Sequence, residues 1–413
     1  MASQRVLLLM PTTTYRAADF IDAGTRLGID VAVGTDRGQT LESAAPGGVF
    51  TLDFRDPVAA LRRVEEFARE FPVSAVVGVE DETTVLAALA SRALGLPHNP
   101  LKAVRAARDK YLGRELLLDA GIRVPRFWKL STAEDPFLAS RRVEYPCVLK
   151  PLFLSASRGV IRADEPRTFI EAFDRITRLL RDPAVREKGG DSAFWILVET
   201  FIPGEEVAVE ALLSGGVLQP LAVFDKPDPL EGPFFEETIY VTPSRHAAEI
   251  QEEILKATEQ SAAALGLREG PIHAELRVNS QGAWPLEVAA RSIGGLCSRA
   301  LRFGAGISLE ELILRHALGR EAGSLQRESR SAGVMMIPIP RAGKLARFDG
   351  IAAARKVPGV EEVVQSIPLG QTLVPLPEGS RYLGFIFARG EDPAAVEKAL
   401  REAHRRLEIV VSS

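Results

Sequence analysis

Three short apolar runs near the start of the chain constrain its fold most: RVLLLM (5–10), DVAVGT (30–35) and VSAVVGV (73–79). Each is followed by an amphipathic stretch of helical period, at 16–28, 57–71 and 82–95. Runs this short do not make buried helices. Strands buried on both faces read as continuous rather than alternating apolar sequence, and parallel pairing needs the helical crossovers seen between them. The spacing therefore predicts a doubly wound α/β module. Its first strand-to-helix turn reads PTTTYR, so the Gly-x-Gly-x-x-Gly fingerprint of a dinucleotide site is missing from the place it must occupy. The module is expected to offer a binding surface without a nucleotide of its own.

LGLPHNP (94–100), with its Gly, Asn and two prolines, marks a boundary. Helical patterns follow at 101–107 and 109–120, ending at Gly121 and the VP of 124–125. From 145 the pattern changes to α+β. YPCVLKP, RGVIRA, FWILVETFI, EEVAVEALL and VLQPLAVF are strand-like and are interrupted by one long helix, 165–181. A second helix (246–266) leads to IHAELRV and AWPLEV, two strands joined by Asn279-Ser-Gln-Gly282, whose residues suit a short hairpin. Helices are expected at 296–303 and 308–319. HALGREAGSLQRESR (316–330) reads as a linker or exposed helix end. GVMMIPIP, VEEVVQ and RYLGFIFARG, with an amphipathic helix at 392–407, then make a small α+β domain.

Composition excludes several classes. With 46% hydrophobic and 26% charged residues the 413-residue chain is an ordinary globular protein, long enough for two to four domains at roughly 150 residues each. A net charge of −4 gives no footprint for nucleic acid. No run approaches the ~18 apolar residues of a membrane span. The opening MASQRVLLLMP is read as a first strand rather than a signal peptide, and Cys147 and Cys297 as reduced thiols, so a cytoplasmic protein is expected.

The chemistry-bearing residues lie between 80 and 295. Lys110 follows Asp109 at a helix start, and Lys150 ends the run CVLK. A lysine ending a buried strand is also explained by its head reaching back to water. SASRGV (155–160) is a small-residue turn whose backbone N–H groups can approach phosphate oxygens, and lysines and loop together suggest a phosphate clamp. In VETFIPGEEVAVE (198–210), Glu199, Phe201 and Ile202 precede a Pro-Gly turn and Glu206 follows it. Either this is a hairpin with solvated acids, or a hinge holding an adenine edge with Glu206 on ribose hydroxyls.

Glu275 and Glu287 sit on the two arms of the predicted hairpin, near the middle of half-buried runs. Two such carboxylates repel each other and lose hydration, a conflict that a hard divalent cation resolves. Arg291 offers a simple ion pair instead. The run VEDE (79–82) at the carboxyl edge of the first sheet places Glu80 and Glu82 where open α/β sheets bind ligands, although acids are common at helix starts for dipole reasons. VFDKPDPLEGPFFEETIYVTPS (223–244) is expected to be a long shaped loop, with Lys226, Glu236, Glu237 and Tyr240 as handles for a zwitterion or as solvated residues. His273 is expected to support neighbouring groups rather than act as a base.

Two lysines, a small-residue loop, an E-T-F-I segment, and two strand-borne glutamates followed by an arginine, in this order, resemble the ATP-grasp superfamily. The resemblance implies a pre-ATP-grasp domain (1–113), two ATP-grasp subdomains (114–196, with phosphate loop and lid, and 197–325, with hinge and metal site), and a C-terminal domain (326–413) like that of L-amino acid ligases. The dipeptide-forming, carnosine-synthase-like branch is the most similar. It further implies ATP and Mg²⁺, with Mn²⁺ as an alternative. Lys110, Lys150 and the loop of Ser155, Ser157 and Gly159 would hold phosphates, and Glu199, Phe201 and Ile202 adenine. Glu206 would hold ribose, Glu275 and Glu287 the metal, and Arg291 the transferring phosphoryl group. Gly294 and Gly295 would lie near an oxyanion or form a helix-entry turn.

The implied reaction joins a carboxylate and an amine, both small molecules, through an acyl phosphate, with release of ADP and phosphate; a homodimer is common among the proteins it resembles, and the sequence does not fix the oligomeric state. A carboxylase-type or purine-pathway enzyme and an inactive nucleotide-binding regulator are the other readings. The metal motif E-x-N-x-R reads Glu287-Val-Ala-Ala-Arg291 here, so Ala289 stands where asparagine is expected and one amide ligand is missing.

Overall fold

The computed structural model describes residues 4–37, 47–321 and 323–412. Arg5–Leu9 forms the centre of the first sheet, paired in parallel with Asp30–Thr35 on one side and Ala75–Gly78 on the other. A short strand, Val49–Thr51, extends the edge. Alternate residues of the central strand enter two separate cores, Val6 and Leu8 one and Leu7 and Leu9 the other, all of them fully buried. That explains the unbroken apolar run, because neither face meets water.

The second sheet is antiparallel, in the order Phe127–Ser131, Trp195–Thr200, Cys147–Pro151, Ile161–Ala163. The helix Pro166–Arg181 packs on it through Phe169, Phe173 and Ile176. Phe127–Ser131 was not expected as a strand. FWKLS shows no clean alternation, and pairing with Trp195–Thr200 decides its state.

The third sheet has eight strands and runs Gly282–Ala289, Gly270–Asn279, Glu205–Ser214, Val217–Lys226, Ile239–Thr242, Ser331–Ile337, Gly384–Gly390, Val360–Gln365. It crosses the expected 325/326 boundary, because Tyr240 pairs with Val334 across two antiparallel strands. The C-terminal residues add a three-stranded sheet centred on Gly343–Asp349 and the helix Pro393–Arg405. The hairpin turn at Asn279 forms as read, with the Asn279 side chain accepting from the Gln281 N–H at 2.9 Å.

Two expectations fail. Residues 296–303 form only a short 3₁₀ turn, Cys297–Ala300, since every apolar side chain there is already buried by sheet packing and no amphipathic face is needed. The segment 223–244 is not one long loop: its ends belong to the strands Val217–Lys226 and Ile239–Thr242, which bury Lys226 and Tyr240. Among the described residues no helix is long and apolar enough to cross a membrane.

Cys147 and Cys297 are both free and buried. Burial pushes the Cys147 thiol up to about 12 and raises that of Cys297 as well. Neither thiol is expected to react with Ellman's reagent at pH 8 in the folded protein, whereas both titrate in urea. Prompt labelling without denaturant would contradict this packing.

Candidate active site

A cleft of about 850 Å³ opens between the first module, the second sheet and the eight-stranded sheet. The candidate residues from Glu80 to Gly295 line it, except Gly159, which lies under its loop, Lys226, which sits behind a group of carboxylates, and Glu236.

That group forms because neighbouring strands point alternate side chains to the same face. Lys226 is opposite Glu206 in the register of Glu205–Ser214 with Val217–Lys226. Its ammonium donates to Glu206 at 2.8 Å and to Glu275 at 3.0 Å, and also to Glu237. Burial works against the lysine's charge, but Glu206, Glu237 and Glu275 outweigh it and hold its pKa well above the ordinary value. Glu237 is pushed up to about 7 by burial and by the adjacent Glu275. Tyr240 lies 5.0 Å beneath the ammonium, ring face towards it. Glu236, by contrast, does not line the cleft; burial raises its carboxyl.

Oxygens of Glu206, Glu237 and Glu275 lie within 4.8 Å of one another. A hard cation suits such a set. Glu287, the other expected ligand, is directly across the hairpin from Glu275 but turns to a different lysine: Lys110 reaches it at 3.1 Å. The ammonium of Lys110 also donates to the Leu154 carbonyl at 2.8 Å, at the start of the small-residue loop. The two expected metal ligands are thus brought side by side, each with a lysine partner.

Lys150 pairs with Glu199, whose other oxygen accepts from Arg114 Nε at 2.6 Å. Burial favours the neutral forms, and it lowers the Lys150 pKa. For Glu199 the charges of Arg114 and Lys150 overcome burial and hold the carboxyl at about 2. Since the folded pKa is depressed, this group adds stability above the ordinary carboxylate range and loses it only as pH falls towards 2.

Arg291 follows the strand Gly282–Ala289 and extends away from it. It donates to Asp81 at 2.8 Å and to the Ser292 carbonyl at 2.9 Å. Burial opposes the charge on both partners, yet the pair holds Asp81 low and Arg291 high. The acid of the VEDE run that meets the arginine is therefore Asp81. Glu80 accepts from Thr14 at 2.7 Å, and Glu82 pairs with Lys188 at 2.9 Å at the rim.

The loop after Arg291 is braced from two sides. Ile293 N–H donates to Glu210 at 3.0 Å, and Glu210 is also bonded to His273 Nδ1 at 2.5 Å. Arg16, wholly buried, donates to Ser292 Oγ at 2.6 Å, to the Ile293 carbonyl at 3.1 Å and to Glu310 at 2.7 Å. Gly294 and Gly295 line the cleft beyond this brace. His273, held between Glu210 and Glu275, is raised to about 9 because the two acids outweigh its burial.

Sequence reading missed Arg16, Asp81, Arg114, Glu210 and Arg277. Arg277 donates to the Ile202 carbonyl at 2.7 Å and to Glu206 at 3.2 Å, with Phe201 stacked at 4.9 Å. Arg114 donates to the carbonyls of Pro285 and Leu286, tying the strand of Glu287 to the strand of Glu199. Position in an apolar strand was the only available signal for Glu210 and Arg277.

Comparison with known proteins agrees with this architecture. Family models for an ATP-grasp N-terminal domain, an ATP-grasp domain and an L-amino acid ligase C-terminal domain 2 match residues 21–98, 143–300 and 335–412. Alanine–anticapsin ligase of Bacillus subtilis (strain 168) is 25% identical over 268 residues, covering 62% of this chain and 56% of that protein. Carnosine synthase 1 of Homo sapiens is 29% identical over 230 residues, 53% of this chain and 27% of its own. The chain thus spans about half the length of the first and about a quarter of the second. The crystal structure of an L-amino acid ligase from Bacillus licheniformis superposes with a TM-score of 0.86 at 27% identity, over 100% of both chains. The chain thus carries an ATP-grasp N-terminal domain, an ATP-grasp domain and the C-terminal domain of the L-amino acid ligases, and the named relatives and the structure it resembles are ligases.

Proposed function

We propose that this protein joins a small carboxylate, an amino acid or similar molecule, to an amine through an acyl phosphate. The observation that carries this reading is the convergence of Lys110, Lys150 and Arg291 on one cleft, with Lys226 buried behind its carboxylates. Each cation is neutralised by acids that a polyphosphate and a metal can displace. Phosphoryl transfer asks mainly for positioning and charge neutralisation, and no covalent nucleophile is required.

In this scheme Lys110, Lys150 and the backbone of 155–160 hold the ATP phosphates, and the hinge of Phe201 and Ile202, stiffened by Arg277, holds the base. Glu206 would accept from the ribose hydroxyls. A substrate carboxylate oxygen attacks the γ-phosphorus, the bond to the β–γ bridging oxygen breaks, and ADP leaves. An amine then attacks the acyl carbon, phosphate departs, and the ammonium proton passes to solvent. Arg291 turns from Asp81 to the transferring group, and Glu80 and Asp81 are then free to receive a substrate ammonium. Glu275, with Glu287 or with Glu206 and Glu237, would hold a divalent cation, which when bound neutralises phosphate oxygens. With no amide side chain at position 289, that ligand set rests on carboxylates and water.

The test is coupled detection of ADP and phosphate from Mg-ATP across a matrix of amino acids, with mass spectrometry of the products. ADP release that requires both an acid and an amine, with an amide of the summed mass, is the expected result. Formation of AMP and pyrophosphate would eliminate the acyl-phosphate route, and ADP release dependent on bicarbonate alone would point to carboxylation.

A further inference from the structure

The small-residue loop 155–160 is not held by its own lobe alone. Ala156 (φ 55°) and Ser157 (φ 53°) adopt the left-handed conformation that L-residues avoid, and Gly159 follows at φ 75°. A Cβ on Gly159 would stand 2.8 Å from the Pro151 ring, so the loop is pressed onto the end of the Lys150 strand. What restrains it from outside is residues 374–383 of the C-terminal lobe. Gly159 N–H donates to the Pro377 carbonyl at 2.8 Å, and Arg158 Nε to the Glu378 carbonyl at 2.7 Å. The Glu378 carboxylate takes two bonds from Arg175, at 2.5 and 2.9 Å, on the helix Pro166–Arg181 behind the loop. Two residues further on, Ser380 and then Tyr382 line the cleft itself. One short segment of the C-terminal lobe therefore touches the loop, the helix that backs it and the cleft.

We propose that Glu378 is a positioning residue for the nucleotide: paired with Arg175, it clamps loop 155–160 over the cleft, so that the C-terminal lobe governs how long nucleotide stays bound. The proposal rests on the assignment of the cleft to ATP. The pair is bidentate, a geometry that fixes orientation better than a single contact. It is also part exposed, about 39% on each side chain, so it opens readily and suits a gate better than a permanent strut.

The experiment is stopped-flow release of a fluorescent ADP analogue from the full chain, comparing Glu378→Gln, Arg175→Gln and the double variant. Each single variant is expected to release nucleotide about fivefold faster and to raise the KM for ATP in proportion, with kcat at saturation and the melting temperature nearly unchanged. The double variant is expected to release no faster than either single one, because the two groups act as one contact. Release at the parental rate in the single variants, or additive effects in the double, would overturn the clamp while leaving the ATP site standing. Failure of the parent to bind nucleotide at all would overturn both. Release needs no amide formation, so it is independent of the substrates proposed above.

Discussion

Lys226→Met is expected to be severely destabilised in EDTA, with a melting temperature lower by on the order of 10 °C, and to regain part of that loss when Mg²⁺ is added. The reason is electrostatic. Three carboxylates with oxygens within 4.8 Å of one another, largely sheltered from water, converge on this ammonium, while Glu206 and Glu275 each have a second, more distant cation in Arg277 and His273. Removing one partner from a buried charged group costs about 3–5 kcal/mol, because the remaining charge loses its nearest counter-ion without regaining water. Methionine keeps most of the stem volume and loses the ammonium that lies over the Tyr240 ring, so the loss is chiefly of charge rather than packing. A divalent cation has the charge and ligand preference to take the vacated place. Thermal unfolding in EDTA and in excess Mg²⁺ checks this, and a variant as stable as the parent in EDTA would show that the carboxylates do not depend on Lys226.

The second large effect is on turnover. Glu287→Gln is expected to lower ADP release by roughly 100- to 1000-fold while leaving the melting temperature close to the parent's. Glu287 is about 27% exposed and its partner Lys110 keeps the Leu154 carbonyl, so little folding energy is at stake. The amide keeps the shape and removes only the charge that a metal or a lysine in its phosphate-binding position requires. Ala289→Asn, two residues on along the same strand, is expected to retain turnover, since it adds an amide of the kind the E-x-N-x-R pattern carries. Full turnover in Glu287→Gln would reduce its contact with Lys110 to an ordinary ion pair.

Much of this was legible before the fold was known. Unbroken apolar runs reported strands buried on both faces, and alternate residues of Arg5–Leu9 do enter two cores. The hairpin could be read from Asn279 to Gly282, and with it the juxtaposition of Glu275 and Glu287. Pairing choices were not legible. Glu80, Asp81 and Glu82 are chemically alike and adjacent, yet only Asp81 reaches Arg291, because the direction in which each side chain leaves the helix start is set by packing against another lobe. Lys226 and Tyr240 looked like loop residues because Pro and Gly fill the stretch between them. Strand pairing with partners as distant as Val334 overrides that local signal.

By itself, then, the sequence determined the strands and helices with strong periodicity, the hairpin with its acids, and the set of residue types able to neutralise phosphate. Those properties depend on side chains within a few positions of one another, where backbone geometry fixes what faces what. Tertiary structure alone decided which cation each carboxylate keeps, that one sheet runs through into the C-terminal lobe, and that Glu378 reaches back to the loop at 155–160. Ionic attraction carries no sequence register: its strength depends on distance and on exclusion of water, and both exist only once the lobes have packed.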